Sequence, residues 1–597
     1  MNAVAQRVTN ALARQGFTSM AKTEAVRVET IPRSWLPRLD GGTLLMAALI
    51  AAMGFYVLYP LALILINSFN TATIAEPPVY GLQAWRDAFR EPGIWRSLLN
   101  SVKIGVVLQI VALPLGIFLA WLIGRTNILF ANAFEFGFWI SFFLPPLATT
   151  FGWMLLLDPS TGLVNNWLRQ VPLISGLTFD IYTFWGIIWT HLMTHAISTK
   201  VMLMTPAFRR MDSSLEEASR MSGASSLTTL IRITVPAMTP VIVVVFLLSV
   251  IRVFSSFETE LLLGVPWGFY VYSTKIVDLA RQEPPLVNQA AALGSVILLF
   301  LAAFIPIQRR LIARRHFTTV TGQFKPKVID LGVWRYPATA LVAFMVFVLD
   351  VVPVLSVLGG SFMTRFGFFN LPKTWTLEYW RMALSDPRIL LGLKNTLIIA
   401  GSAAVFGMLF FSLVGYVLVR TKFPGRGILD SICWVPSAIP GVLAGLGLLW
   451  MFLGTPLFRP FYGTLFLLVI ASVLGGITLS TQILKANFVQ LGAELEEASR
   501  MSGAGFWKTY FRVVLPLMAQ TMILVGVIKF MFAAQHPSSI ILLATSETRP
   551  LSLLALDQIA AGYREVASIT VIFIMLLTVG LALIARVFGL KVGIRAE

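Results

Sequence analysis

Few side chains in this sequence combine a reactive type with a telling position, and most of them are charges inside apolar stretches. Arg252 and Lys529 lie in corresponding apolar stretches of the two halves, and Asp350 lies in a third. A charge at the centre of a bilayer costs about 2.5–3.5 kcal/mol on insertion scales, so it is a functional candidate by default. We therefore predict that these residues line the path of a solute. The two cations favour an anionic solute or a chelate over a bare cation.

Each of these charges also has a purely structural explanation. Arg252 can extend its head group to the interface from the end of its span, and Asp350 and Lys529 can pair with each other between helices. His191 and His195 stand four residues apart on one helix face, but two ligands are too few for a closed metal site. We expect these histidines to pack between helices, and we assign no metal site to the chain.

Other kinds of chemistry are absent from the sequence. The nucleotide-binding pattern Gly-x4-Gly-Lys-Ser/Thr does not occur in the 597 residues. No nucleophile–base arrangement or pair of carboxylates stands out in an accessible loop, and the single cysteine, Cys433, lies in an apolar stretch. We expect no enzymatic activity, and no cofactor bound by this chain itself.

The composition indicates a membrane protein. Hydrophobic residues make up 57% of the chain and charged residues only 12%, and the mean hydropathy is +0.80. A soluble domain carries about 25% charged residues. The net charge of +18 comes from basic residues in short loops, which is typical of cytoplasmic loops of membrane proteins rather than of nucleic-acid-binding proteins. We expect lipid, and no nucleic acid, as a partner.

Twelve stretches have the roughly 20 apolar residues that a spanning helix needs. They lie near residues 43–66, 98–124, 132–157, 182–207, 237–257, 289–307, 337–359, 392–419, 427–453, 462–486, 516–535 and 566–586. Basic residues follow the even-numbered spans, which predicts that both termini are cytoplasmic. We divide the chain into a basic cytoplasmic N-terminal arm (1–40), a first half (41–315), a cytoplasmic linker (316–333) and a second half (334–597).

The two halves are repeats of each other. The Arg-Thr pair at Arg125 recurs at Arg420, and the nine residues from Glu216 recur without change from Glu496. Six spans, an even number, separate the copies, so the repeats are parallel and related by an axis along the membrane normal. We therefore predict an all-α membrane protein of about twelve transmembrane helices in two parallel six-helix repeats.

The nine identical residues have the features of a short helix on the cytoplasmic side. Glu216 and Glu217 would lie in its first turn, where the helix dipole favours negative charge, and Ser213 would cap it. Gly223 can adopt the left-handed conformation that ends a helix. Because the flanking spans have diverged while this surface has not, we infer that one shape binds one kind of partner twice.

The spacing within these segments resembles that of a known family. The first copy reads Glu217-Ala218-Ser219, then Gly223, then Ile233-x-Val235-Pro236, and the second keeps the same spacing from Glu497 to Pro516. This pattern resembles that of permeases of binding-protein-dependent ABC importers, with Ser in place of the second Ala. The resemblance covers residues 43–590. It implies a type I importer fold in which the segment forms a coupling helix, seated in a groove of the ATPase.

The resemblance assigns the coupling residues and suggests a cargo. The coupling residues are Glu216, Glu217, Ala218 and Gly223 in the first copy and Glu496, Glu497, Ala498 and Gly503 in the second. Fused double permeases of this size most resemble the ferric-iron importers, and the stretch from Ser255 to Glu258 resembles the outer gate of that branch. Ser256 and Glu258 therefore join the predicted pathway residues. Ferric iron or its chelate is the implied cargo, with aminoethylphosphonate, thiamine or another small solute as alternatives.

The same resemblance implies partners. Two copies of a separate ABC ATPase would bind ATP and Mg²⁺, and a periplasmic solute-binding protein would deliver cargo to this chain in the bacterial inner membrane. A secondary transporter would also fit twelve spans, but it would not need two matching cytoplasmic helices. A channel or a signalling membrane protein would need pore-lining rings or a soluble output domain, and the sequence has neither.

Overall fold

The computed structural model describes residues 41–72, 77–209, 211, 214–314, 328–421, 425–492 and 494–587. By its contacts the chain divides into a short unit, Met1–Leu45, and a large unit, Met46–Glu597. The predicted N-terminal arm (1–40), the Ser213 cap and most of the predicted linker (316–333) lie outside the described residues.

The first half is a series of helices. In chain order they are α1 (Gly41–Asn67), α2 (Gln83–Arg90), α3 (Ile94–Arg125), α4 (Ala131–Phe143), α5 (Pro146–Leu157), α6 (Leu163–Gln170), α7 (Phe184–His191), α8 (Ile197–Arg209), α9 (Ser214–Met221), α10 (Ser226–Thr229), α11 (Val235–Ala237), α12 (Thr239–Val253), α13 (Glu258–Leu263), α14 (Tyr272–Arg281) and α15 (Val287–Arg314). Leu192–Ala196 and Leu230–Thr234 are π-helical turns that join neighbouring helices, and Val265–Trp267 is a 3-10 turn.

The second half repeats this series. Its helices are α16 (Arg335–Val346), α17 (Val352–Ser361), α18 (Glu378–Ser385), α19 (Pro387–Arg420), α20 (Arg426–Trp434), α21 (Gly441–Gly454), α22 (Leu465–Leu474), α23 (Ile477–Gln490), α24 (Glu494–Met501), α25 (Phe506–Thr509), α26 (Leu515–Leu517), α27 (Ala519–Gln535), α28 (Leu551–Ala560) and α29 (Arg564–Val587). Phe347–Val351 and Tyr510–Val514 are π-helical, and Gly332–Trp334, Val435–Ala438 and Arg459–Phe461 are 3-10 turns.

The described residues form helices and isolated β-bridges, without a strand, as predicted for an all-α protein. Five helices are long and apolar enough to cross a membrane without a break, and five further pairs pass the same test together although each pair is bent by more than 40°. The described residues therefore hold up to ten spans by length and composition. The number twelve stays a prediction.

The bends have local causes in the sequence. Pro145 and Pro146 stand between α4 and α5, where the bend is 94°; proline has no N–H to continue the helical hydrogen bonds. Gly476 adopts φ +78° between α22 and α23, where the bend is 55°, a conformation that glycine adopts without steric cost. Each break frees backbone carbonyl oxygens inside an apolar layer, and these must find other donors.

The two repeats pack alike and interlock. Within each half the second span packs on the fourth: α3 on α8, and α19 on α23. Between halves, a Cβ on Gly152 would lie 2.7 Å from Pro353 Cα, and a Cβ on Gly447 would lie 2.7 Å from the carbonyl oxygen of Pro60. The first span of each repeat therefore packs closely on the third span of the other, and only glycine permits the approach.

Candidate functional site

The two repeated segments, defined here as residues 214–236 and 494–516, fold alike. Each begins with an eight-residue helix, α9 or α24, with Glu216 and Glu217 or their counterparts in the first turn. Gly223 and Gly503 then adopt φ +83° and +80°, the left-handed conformation predicted to end each helix. A short helix, a π-helical turn and a proline lead on into α12 or α27.

The serine that departs from the family pattern has a defined role in both segments. Ser219 Oγ lies 3.0 Å from Thr229 Oγ1, and Ser499 Oγ lies 3.0 Å from Thr509 Oγ1. Each hydrogen bond joins the eight-residue helix to the short helix that follows it. An alanine at these positions would leave Thr229 and Thr509, both buried, without this partner.

In the first segment, Glu216 points inward. Its carboxylate forms an ion pair with Arg125, the last residue of α3, and both side chains are buried. Arg125 Nη1 also donates to the carbonyl oxygen of Met211 at 3.0 Å, and Thr234 Oγ1 donates to Glu216 Oε1 at 2.7 Å. Glu216 therefore ties α9 to the end of a span and is not part of the exposed surface of the segment.

The second segment has the same ion pair with a different supporting donor. Arg420 Nε lies 2.8 Å from Glu496 Oε1, and Tyr416 Oη donates to Glu496 Oε2 at 2.9 Å. Val514 stands where the first segment has Thr234, so no hydroxyl is available there. Each copy thus has a buried glutamate that contacts an arginine and a hydroxyl donor. Only the residue that supplies the hydroxyl differs, Thr234 in the first copy and Tyr416 in the second.

The outward faces of the segments carry large apolar side chains at matching positions. Met221 is 90% exposed and Met501 is 89% exposed. We define the first docking surface as Met221, Leu227 and Ile231 and the second as Met501, Trp507 and Phe511, all of them exposed. Ala218, Glu497 and Ala498 are exposed as well, and Glu217 is half-buried. Exposed apolar groups at matching positions in both copies are the feature expected of a contact surface.

The segments lead directly to a polar cluster at the far ends of α12 and α27. Ser256 Oγ donates to Glu260 Oε1 at 2.6 Å, and His191 Nε2 donates to the same oxygen at 2.8 Å. Glu260 is fully buried. It was missed from the sequence, although its position four residues after Ser256 and beside the apolar run Leu261–Leu263 could have marked it.

Glu258, a predicted pathway residue, stands where the two halves meet. Its Oε1 atom lies 3.7 Å from Nδ1 of His536, which follows the end of α27. His536 corresponds to Ser256 in the repeat, 280 residues earlier. The structure thus brings together Ser256 and Glu258 from one repeat and His536, which the sequence did not single out, from the other.

Of the remaining pathway candidates, Lys529 and Asp350 make their contacts elsewhere, whereas Arg252 lies within electrostatic reach of His195, which is itself within reach of His191 and His536. Arg252 is exposed in the last turn of α12. Lys529 is buried, and its Nζ donates to the carbonyl oxygens of Val473 and Gly475 at the break between α22 and α23. Asp350 is buried in a π-helical turn against Gly137 of α4. The structural alternative, a pair between Asp350 and Lys529, does not form: the freed carbonyl oxygens of a broken helix accept the hydrogen bonds of the ammonium group instead.

No metal-binding group of three or more His, Cys, Asp or Glu side chains occurs in the described part of the chain. His195 packs on Phe142, with ring centroids 5.6 Å apart, and His191 is engaged by Glu260.

Comparison with known proteins gives a family match in both halves. Residues 112–317 and 407–593 match the family described as "Binding-protein-dependent transport system inner membrane component". The two matches cover both repeated segments with the spans around them, so the internal repeat corresponds to two copies of one domain.

Curated relatives span most of the chain. A putative ferric transport system permease protein, FbpB 1, of Haemophilus influenzae is 27% identical over 546 residues, covering 89% of this chain and 82% of that protein. The ferric transport system permease protein FbpB of Actinobacillus pleuropneumoniae is 27% identical over 545 residues, covering 89% and 76%. The sulfate transport system permease protein CysT of Escherichia coli is 29% identical over 158 residues, covering 24% and 55%.

Solved structures also match part of the chain at low sequence identity. The crystal structure of a bacterial alginate ABC transporter, in complex with an alginate pentasaccharide-bound periplasmic protein, contains a chain that is 18% identical. The match covers 44% of this chain and 96% of that one, with a TM-score of 0.36.

Proposed function

Because this chain belongs to the family of binding-protein-dependent transport system inner membrane components, we propose that it is the permease of an ATP-driven importer for ferric iron or a ferric chelate. The family makes the chain a multi-pass inner membrane transport subunit. Two docking surfaces of the same construction, each anchored by an Arg–Glu ion pair, support the proposal that transport is driven by ATP.

Two docking surfaces on one chain support two copies of a separate ATPase. The chain has no nucleotide-binding loop of its own, so ATP and Mg²⁺ would be bound by those partners. Each ATPase would receive one eight-residue helix in a groove, with Met221 or Met501 as the central apolar contact. Glu217 and Glu497 would lie at the edge of that contact and add charge complementarity.

Movement of the ATPases would reach the spans through two connections, the ion pair of each segment and the chain itself. When the two ATPases close on ATP, they would draw α9 and α24 together. The Arg125–Glu216 pair and its counterpart would pass this movement to α3 and α19, and the chain itself would pass it to α12 and α27. α12 ends at Val253, shortly before Glu258, and α27 ends at Gln535, next to His536. Rocking of the repeats would therefore open and close the contact between Glu258 and His536.

The orientation follows from the same arrangement. The repeated segments and both termini would face the cytoplasm, where ATP is available. The opposite ends of the helices, including the 158–182 region, would face the periplasm and receive the solute-binding protein. This orientation agrees with the basic residues that follow the even-numbered predicted spans.

The proposed cargo is based on two relatives that are named for ferric transport and that match 89% of the chain. Glu258 provides carboxylate oxygens beside the repeat interface, and oxygen ligands suit a hard cation in transit. Aminoethylphosphonate, thiamine and other small solutes remain alternative cargoes for the same importer class.

Uptake by reconstituted vesicles tests the proposal. The chain, its ATPase and its binding protein are placed in liposomes with ATP inside, and uptake of radioactive ferric iron is measured. We expect uptake that requires ATP and that falls at least tenfold in the double variant Glu217→Ala/Glu497→Ala. Ile428→Ala, which alters a residue 59% exposed in α20, outside the segments, is the control and should transport normally. ATP-independent uptake would overturn the proposal in favour of a secondary transporter.

A further inference from the structure

A cavity of about 600 Å³ lies between the two repeats, away from the repeated segments. Its lining includes Tyr182 from the first half and Arg564 from the second. Residues 184–209, which lead from the cavity to the first segment, make about 39 Å of helix at ~1.5 Å per residue. The cavity therefore opens on the side that receives solute in the proposed orientation.

The walls of this cavity are mostly apolar, with a small number of charged side chains. The charged residues are Asp158, Arg281, Arg549, Asp557 and Arg564. Small-molecule sites have this composition and volumes of about 300–1,000 Å³. The cavity is thus of the right kind and size for a solute rather than for a protein segment.

Asp158 is not available to a cationic ligand. Its Oδ1 atom accepts hydrogen bonds from Ser160 N at 2.9 Å, Ser160 Oγ at 2.6 Å and Thr161 N at 3.0 Å, and its Oδ2 atom accepts from Tyr182 Oη at 3.3 Å. Three of these four donors share Oδ1, so this oxygen is fully engaged within the loop, and Oδ2 is held by Tyr182. Burial opposes ionisation of Asp158, but the hydrogen bonds from Ser160 and Thr161 outweigh it and lower the pKa.

Asp557 is engaged as well. It forms an ion pair with Arg549, eight residues earlier. In contrast, Arg281 and Arg564 form no ion pair with a carboxylate within the described part of the chain. Arg281 lies within electrostatic reach of Arg549 and Asp557, and Arg564 lies beside the hydroxyl of Tyr182. Hydrogen bonds from neutral donors leave Asp158 charged, so three arginines against two aspartates give the lining one net positive charge. Arg281 and Arg564 are the guanidinium groups of the lining without an ion-pair partner among the described residues.

We propose that this cavity binds a small multivalent oxyanion, held by Arg281 and Arg564 across the repeat interface. A guanidinium group presents paired N–H donors that match carboxylate and phosphate oxygens. One arginine comes from each repeat, so the bound anion joins the two halves. The apolar walls, which include Trp267 and Leu556, strengthen the interaction by excluding water.

This inference deepens the proposed function and rests on it only for the identity of the cargo. A bare ferric ion would be repelled by the net positive lining, whereas a ferric chelate with excess carboxylate would be attracted. The cavity therefore selects the anionic form of the cargo before it reaches Glu258. The oxyanion has two possible sources, a free anion or the chelate, and the two share the chemistry that the arginines recognise.

Binding to the purified full-length chain tests the proposal. Isothermal titration calorimetry is run with citrate, with ferric citrate and with inorganic phosphate as separate probes, and with glucose as a neutral control. We expect saturable binding of at least one anionic probe and none of glucose. Tighter binding of ferric citrate than of citrate identifies the chelate as the source, and equal binding identifies the free anion.

The variants Arg281→Gln and Arg564→Gln, singly and together, localise the site. Each should weaken anion binding about tenfold, because a charge-assisted hydrogen bond is lost, and the double variant should abolish it. Arg388→Gln removes the same charge from an exposed arginine at the start of α19, outside the cavity, and should bind as the wild type does. Elution of each variant at the wild-type volume in size-exclusion chromatography controls for folding.

The outcomes separate this inference from the proposed function. Absence of saturable anion binding to the wild type overturns the inference, whatever the vesicles transport. Unchanged binding in the double variant overturns it too. Loss of binding-protein capture by the double variant without any small-anion binding would mean that an acidic protein loop occupies the cavity. If anion binding is lost in the double variant while vesicles take up no iron, the site stands and the cargo assignment fails.

Discussion

Arg125 and Glu216 form a buried ion pair between the last residue of a 32-residue helix and the first turn of an eight-residue helix. Arg420 and Glu496 repeat it in the second half. Each pair fixes a short surface helix to the end of a long span. A force applied to the surface helix therefore acts on the span directly, rather than only through a loop.

Removal of one partner from the Arg125–Glu216 pair should be costly. We expect Glu216→Leu or Arg125→Met to lower the free energy of unfolding by about 3–5 kcal/mol, because the other charge is left buried without a partner. The double variant should recover much of this loss, since it buries no charge. Chemical unfolding in detergent, followed by tryptophan fluorescence, measures both. Arg388→Met, at an exposed site, should change stability by less than about 0.5 kcal/mol. A single variant as stable as this control would contradict the role of the pair.

A negative charge placed on either docking surface should weaken its contact with the ATPase. Met221→Asp or Met501→Asp should weaken binding of the ATPase about 30-fold per site, because a central apolar contact contributes about 2 kcal/mol or more. Surface plasmon resonance with immobilised ATPase measures the affinity. Leu173→Asp places the same charge on an equally exposed apolar residue outside the segments and should leave binding unchanged. Equal weakening by all three variants would point to a nonspecific effect.

The Gly152–Pro353 contact predicts that a single methyl group is harmful. A Cβ at position 152 would lie 2.7 Å from Pro353 Cα, so Gly152→Ala should cost about 1–3 kcal/mol through overpacking. Gly447→Ala should behave alike, since the repeat places Pro60 against it. Gly401→Ala, in the middle of α19 with no atom within 4 Å of the added group, should instead be neutral or stabilising. Thermal unfolding ranks the three, and a harmless Gly152→Ala would refute the close interlock.

Substitution of Lys529 should lower the stability of the protein more than it changes the KM for uptake. Its ammonium group satisfies the carbonyl oxygens of Val473 and Gly475. Lys529→Met would leave the carbonyl oxygen of Val473 buried and unpaired, at a cost of about 1–3 kcal/mol. We expect reduced stability and an unchanged KM for uptake in the folded fraction. A raised KM with unaltered stability would instead return Lys529 to the substrate pathway, as its position in the sequence suggested.

The hydrogen bonds of Asp158, which lies outside the spans, should make part of the stability of the fold sensitive to acid. Its pKa is lowered in the folded chain, so its hydrogen bonds stabilise the fold above the unfolded pKa of about 3.9. That contribution is lost as the pH falls through the lower, folded pKa. Asp158→Asn should therefore be less stable than the wild type at pH 7, and the difference should shrink as the pH approaches 3. A difference that is constant between pH 7 and pH 3 would exclude ionisation as its cause.

The elements that were predictable are those with local signals. The repeat, the short helix after position 213 and its left-handed end at Gly223 follow from residue types at fixed spacing. The inward orientation of Glu216 could not be predicted in this way. Two adjacent glutamates lie in one helix turn, and the sequence does not indicate which of them faces the span. Likewise, the donors to Lys529 are backbone atoms at a helix break, and only the fold reveals them. His536 and Glu258 meet across 278 residues of chain, beyond the reach of any local pattern.

Native mass spectrometry of the complex isolated through a tag on this chain tests the central claim most directly. After co-expression with its ATPase, we expect two ATPase subunits per wild-type chain, and none in the Met221→Asp/Met501→Asp double variant, which should still elute as a folded protein. A wild-type chain isolated without an ATPase, or a double variant that keeps both ATPase subunits, would contradict the assignment of the repeated segments as docking sites.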